Sequence, residues 1–258
     1  GYNNLNAGTG TKRVGSGFSK NKMESYFFRV NYILKDRYYL TGTLRADGAS
    51  VFAKNHKWGY FPSAALGWTF SEEPFMKSLS SWLTMGKMRL SWGQTGNSNI
   101  GSNAFASYYA QPAYNQENGT QLIGVFQGKL ENPNLKWETT TQYNIGIDYS
   151  LFRSSLYGTA DFYIKNITDM LINPGYLAAK GEGGSQWQNG PSLRDWGMEL
   201  TLGYRKNFSN GLGIDINSNI DLFRNRVTSL PKTTTGAYAH TSKQNIVEAK
   251  KPYGSIVG

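Results

Sequence analysis

The 258-residue sequence contains no cysteine, and that absence removes disulfide frameworks, thiolate nucleophiles and cysteine-ligated metals together. Histidine is nearly absent too. His56 and His240 are far apart and fall in loop-like stretches, poor material for a His-ligated metal or a Ser-His-Asp triad. No metal, cofactor or catalytic residue is expected. No run of about 18 apolar residues occurs, so no transmembrane helix is expected either. The glycine-rich stretches at 8–17 and 181–184 lack the G-x-x-x-x-G-K-[ST] pattern of a phosphate loop. The opening GYNNLNAGTG has neither the basic region nor the apolar core of a signal peptide, so a cleaved leader or a fragment is expected.

Aromatic residues, by contrast, are abundant. The chain holds 17 Tyr, 13 Phe and 7 Trp against a negative mean hydropathy. A transmembrane β-barrel combines these properties, because only every second residue faces lipid. The net charge of +10 is dispersed: Lys35 and Arg37 flank one turn, Arg153 lies in another, and Arg89 and Arg205 sit on polar faces. Solvated turns and lumen walls account for that pattern better than a nucleic-acid partner does.

The most informative stretch is NLKWETTTQYNIGIDYSLF, residues 134–152. Leu135, Trp137, Thr139, Thr141, Tyr143, Ile145, Ile147, Tyr149 and Leu151 alternate with Lys136, Glu138, Gln142, Asn144 and Asp148. A period of two puts the sets on opposite faces of a strand, and it lasts about three times longer than a usual soluble strand. From Trp137 to Tyr149 such a strand covers about 40 Å, and a tilt of about 45° turns that into a descent of about 28 Å. That matches a bilayer's hydrocarbon core. Trp137 and Tyr149 are therefore expected at the outer and inner membrane interfaces, where their rings bury carbon and keep a polar tip wet.

Similar alternation begins at Glu24, Tyr38, Trp58, Gly86, Leu156, Trp196 and Leu212, which makes about eight strands. A further hairpin is expected around 105–109 and 122–126. Pro62, lacking an N–H, belongs near the start of its strand or at a bulge, and 72–84 reads as one or two helical turns. Connections at 35–37, 152–155 and 207–211 are short and 72–84 is intermediate, whereas 48–57, 96–134, 167–193 and the stretch after Arg224 are longer. Short periplasmic turns opposite long external loops predict an all-β fold, an antiparallel transmembrane barrel segment. Asp47, Glu138, Asp148, Asp161 and Glu199 lie on or beside polar faces, where lumen charge explains them without acid–base catalysis. Tyr108, Tyr109, Tyr114, Asn115 and Gln116, in the longest connection, are candidates for stacking on and hydrogen-bonding to cargo.

Several motifs carry a family resemblance. Arg45-Ala-Asp47-Gly48-Ala-Ser50-Val-Phe52 followed by Trp58-Gly-Tyr60-Phe61-Pro62-Ser63 resembles a strand–loop–strand motif of the SusC/RagA-like TonB-dependent transporters of Bacteroidetes. Met88-Arg89-Leu90-Ser91-Trp92-Gly93-Gln94-Thr95-Gly96-Asn97 is similar to a second motif, and Asn132-Pro133-Asn134-Leu135-Lys136-Trp137-Glu138-Thr139-Thr140, followed by Asn144-Ile145-Gly146-Ile147-Asp148, to a third. Gly197-Met198-Glu199-Leu200 and Lys251-Pro252-Tyr253-Gly254-Ser255-Ile256 resemble shorter ones. The resemblance implies an outer-membrane barrel importing oligosaccharides or peptides, with a SusD-like lipoprotein, TonB and outer-membrane lipid as partners. Such a barrel has about 22 strands around a plugged lumen. Residues 1–258 are accordingly expected to be a partial barrel domain of about 8–10 strands, without the plug or the C-terminal strands. The motifs are expected to shape loops and strand ends rather than to catalyse. A siderophore or vitamin receptor of the same architecture and a small non-transporting barrel used for adhesion stay open, with a soluble β-rich binding protein or glycosidase last.

Overall fold

The computed structural model describes residues 20–101, 108–110, 113–115, 121–123, 126–129, 131–173 and 186–230. Four strands come first: β1 (Met23–Leu34), β2 (Tyr38–Ala49), β3 (Trp58–Trp68) and β4 (Leu83–Asn97). Four short ones follow. Of these, β5 (Tyr108–Ala110) pairs with β8 (Phe126–Lys129), and β6 (Ala113–Asn115) with β7 (Gln121–Ile123). Then come β9 (Glu138–Leu151), β10 (Leu156–Thr168), the paired β11 (Leu171–Ile172) and β12 (Gln188–Asn189), β13 (Ser192–Asn207) and β14 (Gly213–Ser229).

The eight long strands form one antiparallel sheet in the order β1-β2-β3-β4-β9-β10-β13-β14, open at β1 and β14. Its register sorts the side chains. Tyr32, Leu40, Leu66, Leu90, Ile145, Phe162, Met198 and Leu222 form one continuous row across all eight strands. One residue along each strand, the row reads Ile33, Tyr39, Gly67, Arg89, Gly146, Asp161, Glu199 and Asp221. A one-residue slip in any strand would put its charges among the apolar rows, so the pattern itself fixes the register. We call the apolar side outward and the polar side inward.

Short connections sit at one end of the sheet and long ones at the other. Lys35 and Asp36 both have φ of 52°, and the Arg37 N–H donates to Leu34 O at 3.2 Å. Two left-handed central residues match the twist of the flanking strands in a tight hairpin. The β3–β4 connection is intermediate, with 3-10 turns at Phe70–Glu72 and Pro74–Leu79, so β3 stops at Trp68 and Phe70 lies beyond it. By the rule for such barrels this end is periplasmic and the other external.

Pro62 falls inside β3 rather than at its start. It registers with Leu44 of β2, while the ladder to β4 begins only at Ser63↔Gly93. The missing N–H is thus placed where the β3–β4 pairing ends. The hairpin expected around 105–109 and 122–126 is present in part, as the β5–β8 ladder; residues 105–107 lie outside the described set.

Trp137 differs from its expected place at the membrane interface. It is only 5% exposed, and its indole Nε1–H donates to Lys57 O at 3.1 Å. The alternation assumed for 134–152 holds only from Glu138, where β9 begins. Just before it, Leu135 N donates to Asn132 O and Asn134 N to the Asn132 side chain, a turn that resets the phase. Trp137 therefore packs on the inward side. Tyr149 stays outward and half-buried; its hydroxyl lies 3.5 Å from Thr201 O, and its ring covers Gly158. Outward aromatics nearer the external end are Trp92, Tyr143 and Trp196, in one register row with Ile164 between the last two.

Candidate functional site

The site is a surface rather than a pocket: the inward face of the sheet and the clamp that closes its external end. The clamp is the main buried cluster of the described residues. Ala49, Val51, Phe52, Phe61, Ile100, Leu135 and Trp137 pack together, with Leu171 and Trp187 against them. The Trp137 ring lies 5.2 Å from Phe52 and 5.5 Å edge-on from Phe61. Gly59 and Gly96 are required here, because a Cβ on either would stand within the Phe61 ring's contact radius. The three long motifs thus converge in space, and their shared work is to anchor the external loops.

Polar side chains complete the clamp. The Asn189 carboxamide accepts from Lys136 N at 3.0 Å and donates to Lys136 O at 2.8 Å and Asp169 O at 2.9 Å. One side chain thereby pairs with a loop backbone as a strand would. Glu138 accepts from the Asn97 side chain at 3.0 Å and from Leu171 N at 3.0 Å, and Lys136 Nζ lies 2.8 Å from Asp169. The Asn189 contacts tie the 131–137 loop to the segment after β10. Sequence reasoning reads 167–193 as plain loop and passes over Asn189; a single Asn before Gly-Pro carries no pattern that would reveal it.

On the inward wall, Arg89 of β4 reaches two strands across. Its Nε and Nη2 bond Asp148 at 2.8–3.0 Å, and Nη2 also bonds Asp161 at 2.8 Å. Gly146 lies directly between. A Cβ there would sit 2.3 Å from Asp161 Oδ1 and 2.8 Å from Arg89 Nη2. The missing side chain is what lets the guanidinium bridge β9. Arg205–Asp215 at 2.6 Å and Lys165–Asp195 at 4.0 Å continue the series toward β14. Threonine, serine and glutamine dominate the other half: Thr41, Thr43, Ser63, Ser91, Thr140 and Gln142 border a depression of about 420 Å³ with Arg29 and Arg45. The residues expected on polar faces, Asp47, Glu138, Asp148, Asp161 and Glu199, do lie there, and all but Glu199 have hydrogen-bond partners among the described residues.

At the periplasmic end, Glu73 is buried beneath the strand ends. Its carboxylate accepts from the Tyr38 hydroxyl, from Trp68 Nε1 at 3.1 Å and from Arg37 Nη1 at 3.0 Å. The Tyr38 bond above all, with those of Trp68 and Arg37, holds this carboxyl below its ordinary value.

Of the candidate cargo residues, Tyr108 and Tyr109 lie in β5 and Tyr114 and Asn115 in β6, all within the external connection between β4 and β9. Gln116, His240, Gly181–Gly184 and the 251–256 motif lie outside the described residues. Among the described residues no three His, Cys, Asp or Glu side chains converge as metal ligands. Apolar grooves lie on the outward face; one of about 430 Å³ runs past Leu66, Leu90, Trp92, Tyr143, Ile145 and Phe162.

A sheet apolar on one face, polar and charged on the other, with short turns at one end and long connections at the other, is the wall of a transmembrane β-barrel. The chain belongs to the TonB-dependent receptor β-barrel family: it matches the family described as "TonB dependent receptor-like, beta-barrel" over residues 1–249. It is 36% identical over 220 residues to the TonB-dependent receptor SusC of Bacteroides thetaiotaomicron, covering 82% of this chain and 21% of that one. To the TonB-dependent receptor P3 of Formosa agariphila it is 34% identical over 234 residues, covering 89% and 23%. Among solved structures, the RagAB peptide transporter superposes with a TM-score of 0.73 at 27% identity, covering 81% of this chain and 23% of that one. The FrpB iron transporter of Neisseria meningitidis, 18% identical with a TM-score of 0.57 over 83% of this chain and 27% of that one, shares the fold. The chain spans about a fifth of the length of the curated relatives it matches. Its family implies an outer-membrane setting.

Proposed function

We propose that this chain is wall and loop base of a TonB-dependent transporter that imports oligosaccharides or peptides across the outer membrane. The observation that supports it best is the joint one. The two-faced wall carries the clamp motifs, and the chain resembles SusC and the RagAB peptide transporter along most of its length. In this reading the segment's role is passive and no bond is made or broken by it. Outward residues hold the wall in lipid, the inward face lines the lumen, and the 98–137 connection, with Tyr108, Tyr109, Tyr114, Asn115 and Gln116, meets cargo. A SusD-like surface lipoprotein covers the external end, and TonB engages a region beyond this chain.

The test uses a host strain lacking the full-length protein. Growth on oligosaccharides or peptides of high mass should fail while growth on their monomers persists, and the lipoprotein should co-purify with the restored protein. Unchanged growth on every polymer, with loss confined to ferric chelates, would sink the nutrient reading in favour of a siderophore receptor.

A further inference from the structure

Charge on the outward face is sparse and unevenly placed. Following the register, it is confined to Glu24 at the external end of β1, Lys206 at the periplasmic end of β13, and Arg194, Arg224 and Arg226. The three arginines form one group. Arg226 of β14 lies directly opposite Arg194 of β13, and Arg224 opposite Trp196, one step along. The next pair in that direction is Leu222 with Met198, well inside the apolar rows. The group therefore stands where the outward face changes from aromatic to polar, at the external side.

Directly opposed residues in a ladder have Cβ atoms about 5 Å apart, so like charges there repel. Among the described residues no carboxylate pairs with Arg194, Arg224 or Arg226, and all three are exposed. Arg194 is oriented nonetheless. Its Nε donates to Asn166 Oδ1 at 2.7 Å, which leaves the two terminal nitrogens of the fork without a hydrogen-bond partner among the described residues. Paired planar guanidiniums suit a phosphate, which takes two parallel hydrogen bonds from each. A group facing lipid, at the level of the external headgroups, meets phosphate on a lipid. We propose that Arg194, Arg224 and Arg226 bind the phosphate of a phosphorylated glycolipid in the outer leaflet.

The inference rests on the outward face meeting lipid. Its test is native mass spectrometry of the full-length receptor in detergent, offered lipid A with its phosphates or the same lipid A with the phosphates removed. The wild type should retain the phosphorylated form several-fold better. The double variant Arg194→Gln/Arg226→Gln should bring the two forms to parity, while Lys206→Gln leaves the preference intact. If the glutamine variant does not assemble, Arg194→Lys/Arg226→Lys replaces it; losing the fork but not the charge, it should show a reduced preference. Parity in the wild type, an unchanged preference in the variant used, or displacement by millimolar inorganic phosphate each overturns the proposal. Retention of neither lipid form would instead overturn the lipid-facing assignment of the wall.

Discussion

Replacing Ile145 by Arg tests the facing of the whole wall. Ile145 lies midway along β9, with Leu90 of β4 and Phe162 of β10 as its register partners. At about 3.3 Å per residue and a tilt of about 45°, it stands about 14 Å above Leu151. That is near the centre of an apolar band about 25 Å tall, where an arginine on the lipid face costs about 2–4 kcal/mol. The folded-to-unfolded ratio should fall by roughly 30- to 700-fold, since about 1.4 kcal/mol is tenfold. Asn144, one residue earlier, faces inward between Ser91 and Tyr163. Asn144→Arg puts its charge on the polar face rather than in lipid and should cost far less than Ile145→Arg. The assay is urea unfolding of the full-length protein in lipid vesicles, read from the mobility difference between folded and unfolded barrel on gels. Equal costs, or a larger cost for Asn144→Arg, would refute the assignment of faces.

Trp137→Ala should destabilise the external clamp by about 3–5 kcal/mol, as truncating a buried aromatic does, while Trp137→Phe keeps most of the packing and loses the bond to Lys57 O, about 1 kcal/mol. Unfolding curves of the two variants check this, and equal losses would argue against the packing role. The depressed Glu73 carboxyl contributes stability that is fully present above its ordinary value of about 4.5 and is lost as pH falls through its lower folded value. The stability gap between wild type and Glu73→Gln should therefore narrow progressively as pH falls below about 4.5, and a gap independent of pH contradicts the linkage. Asn189→Ala removes three bonds to backbone and should speed hydrogen exchange at the Lys136 amide by at least tenfold, an effect absent if the loop holds itself.

The eight long strands were legible because a two-faced wall writes its period into every residue: Tyr26–Leu34, Tyr38–Ala46 and Leu156–Ile164 have no other sensible reading. Loop lengths then oriented them. The end of that legibility is just as physical. Alternation says nothing once a chain leaves the ladder, and Trp137 was misplaced for that reason, one residue before β9. The charged residues of the inward face were visible singly, but Arg89, Asp148 and Asp161 meet only through a register that long-range pairing sets. Gly146 makes that meeting possible by having no side chain, and a missing atom leaves no pattern. Tyr108, Tyr109, Tyr114 and Asn115 show the complementary case. Their composition suggested contact with cargo, and the fold places them in the external connection without adding a partner.

The end of the β3–β4 ladder at Pro62 has a mechanical consequence. Below it, from Ser63 to Trp68, the two strands are zipped by backbone bonds that act together. Above it, the neighbouring stretches of β3 and β4 have no such bonds with each other to lose, and the Phe61 ring with Trp137 fills the joint. Spreading that joint costs packing and the single Trp137–Lys57 hydrogen bond, which yield piecemeal, whereas a ladder yields all at once. The part of the wall beside Trp58–Pro62 can therefore widen or narrow as the loops above it shift, while the zipped part beneath keeps its spacing.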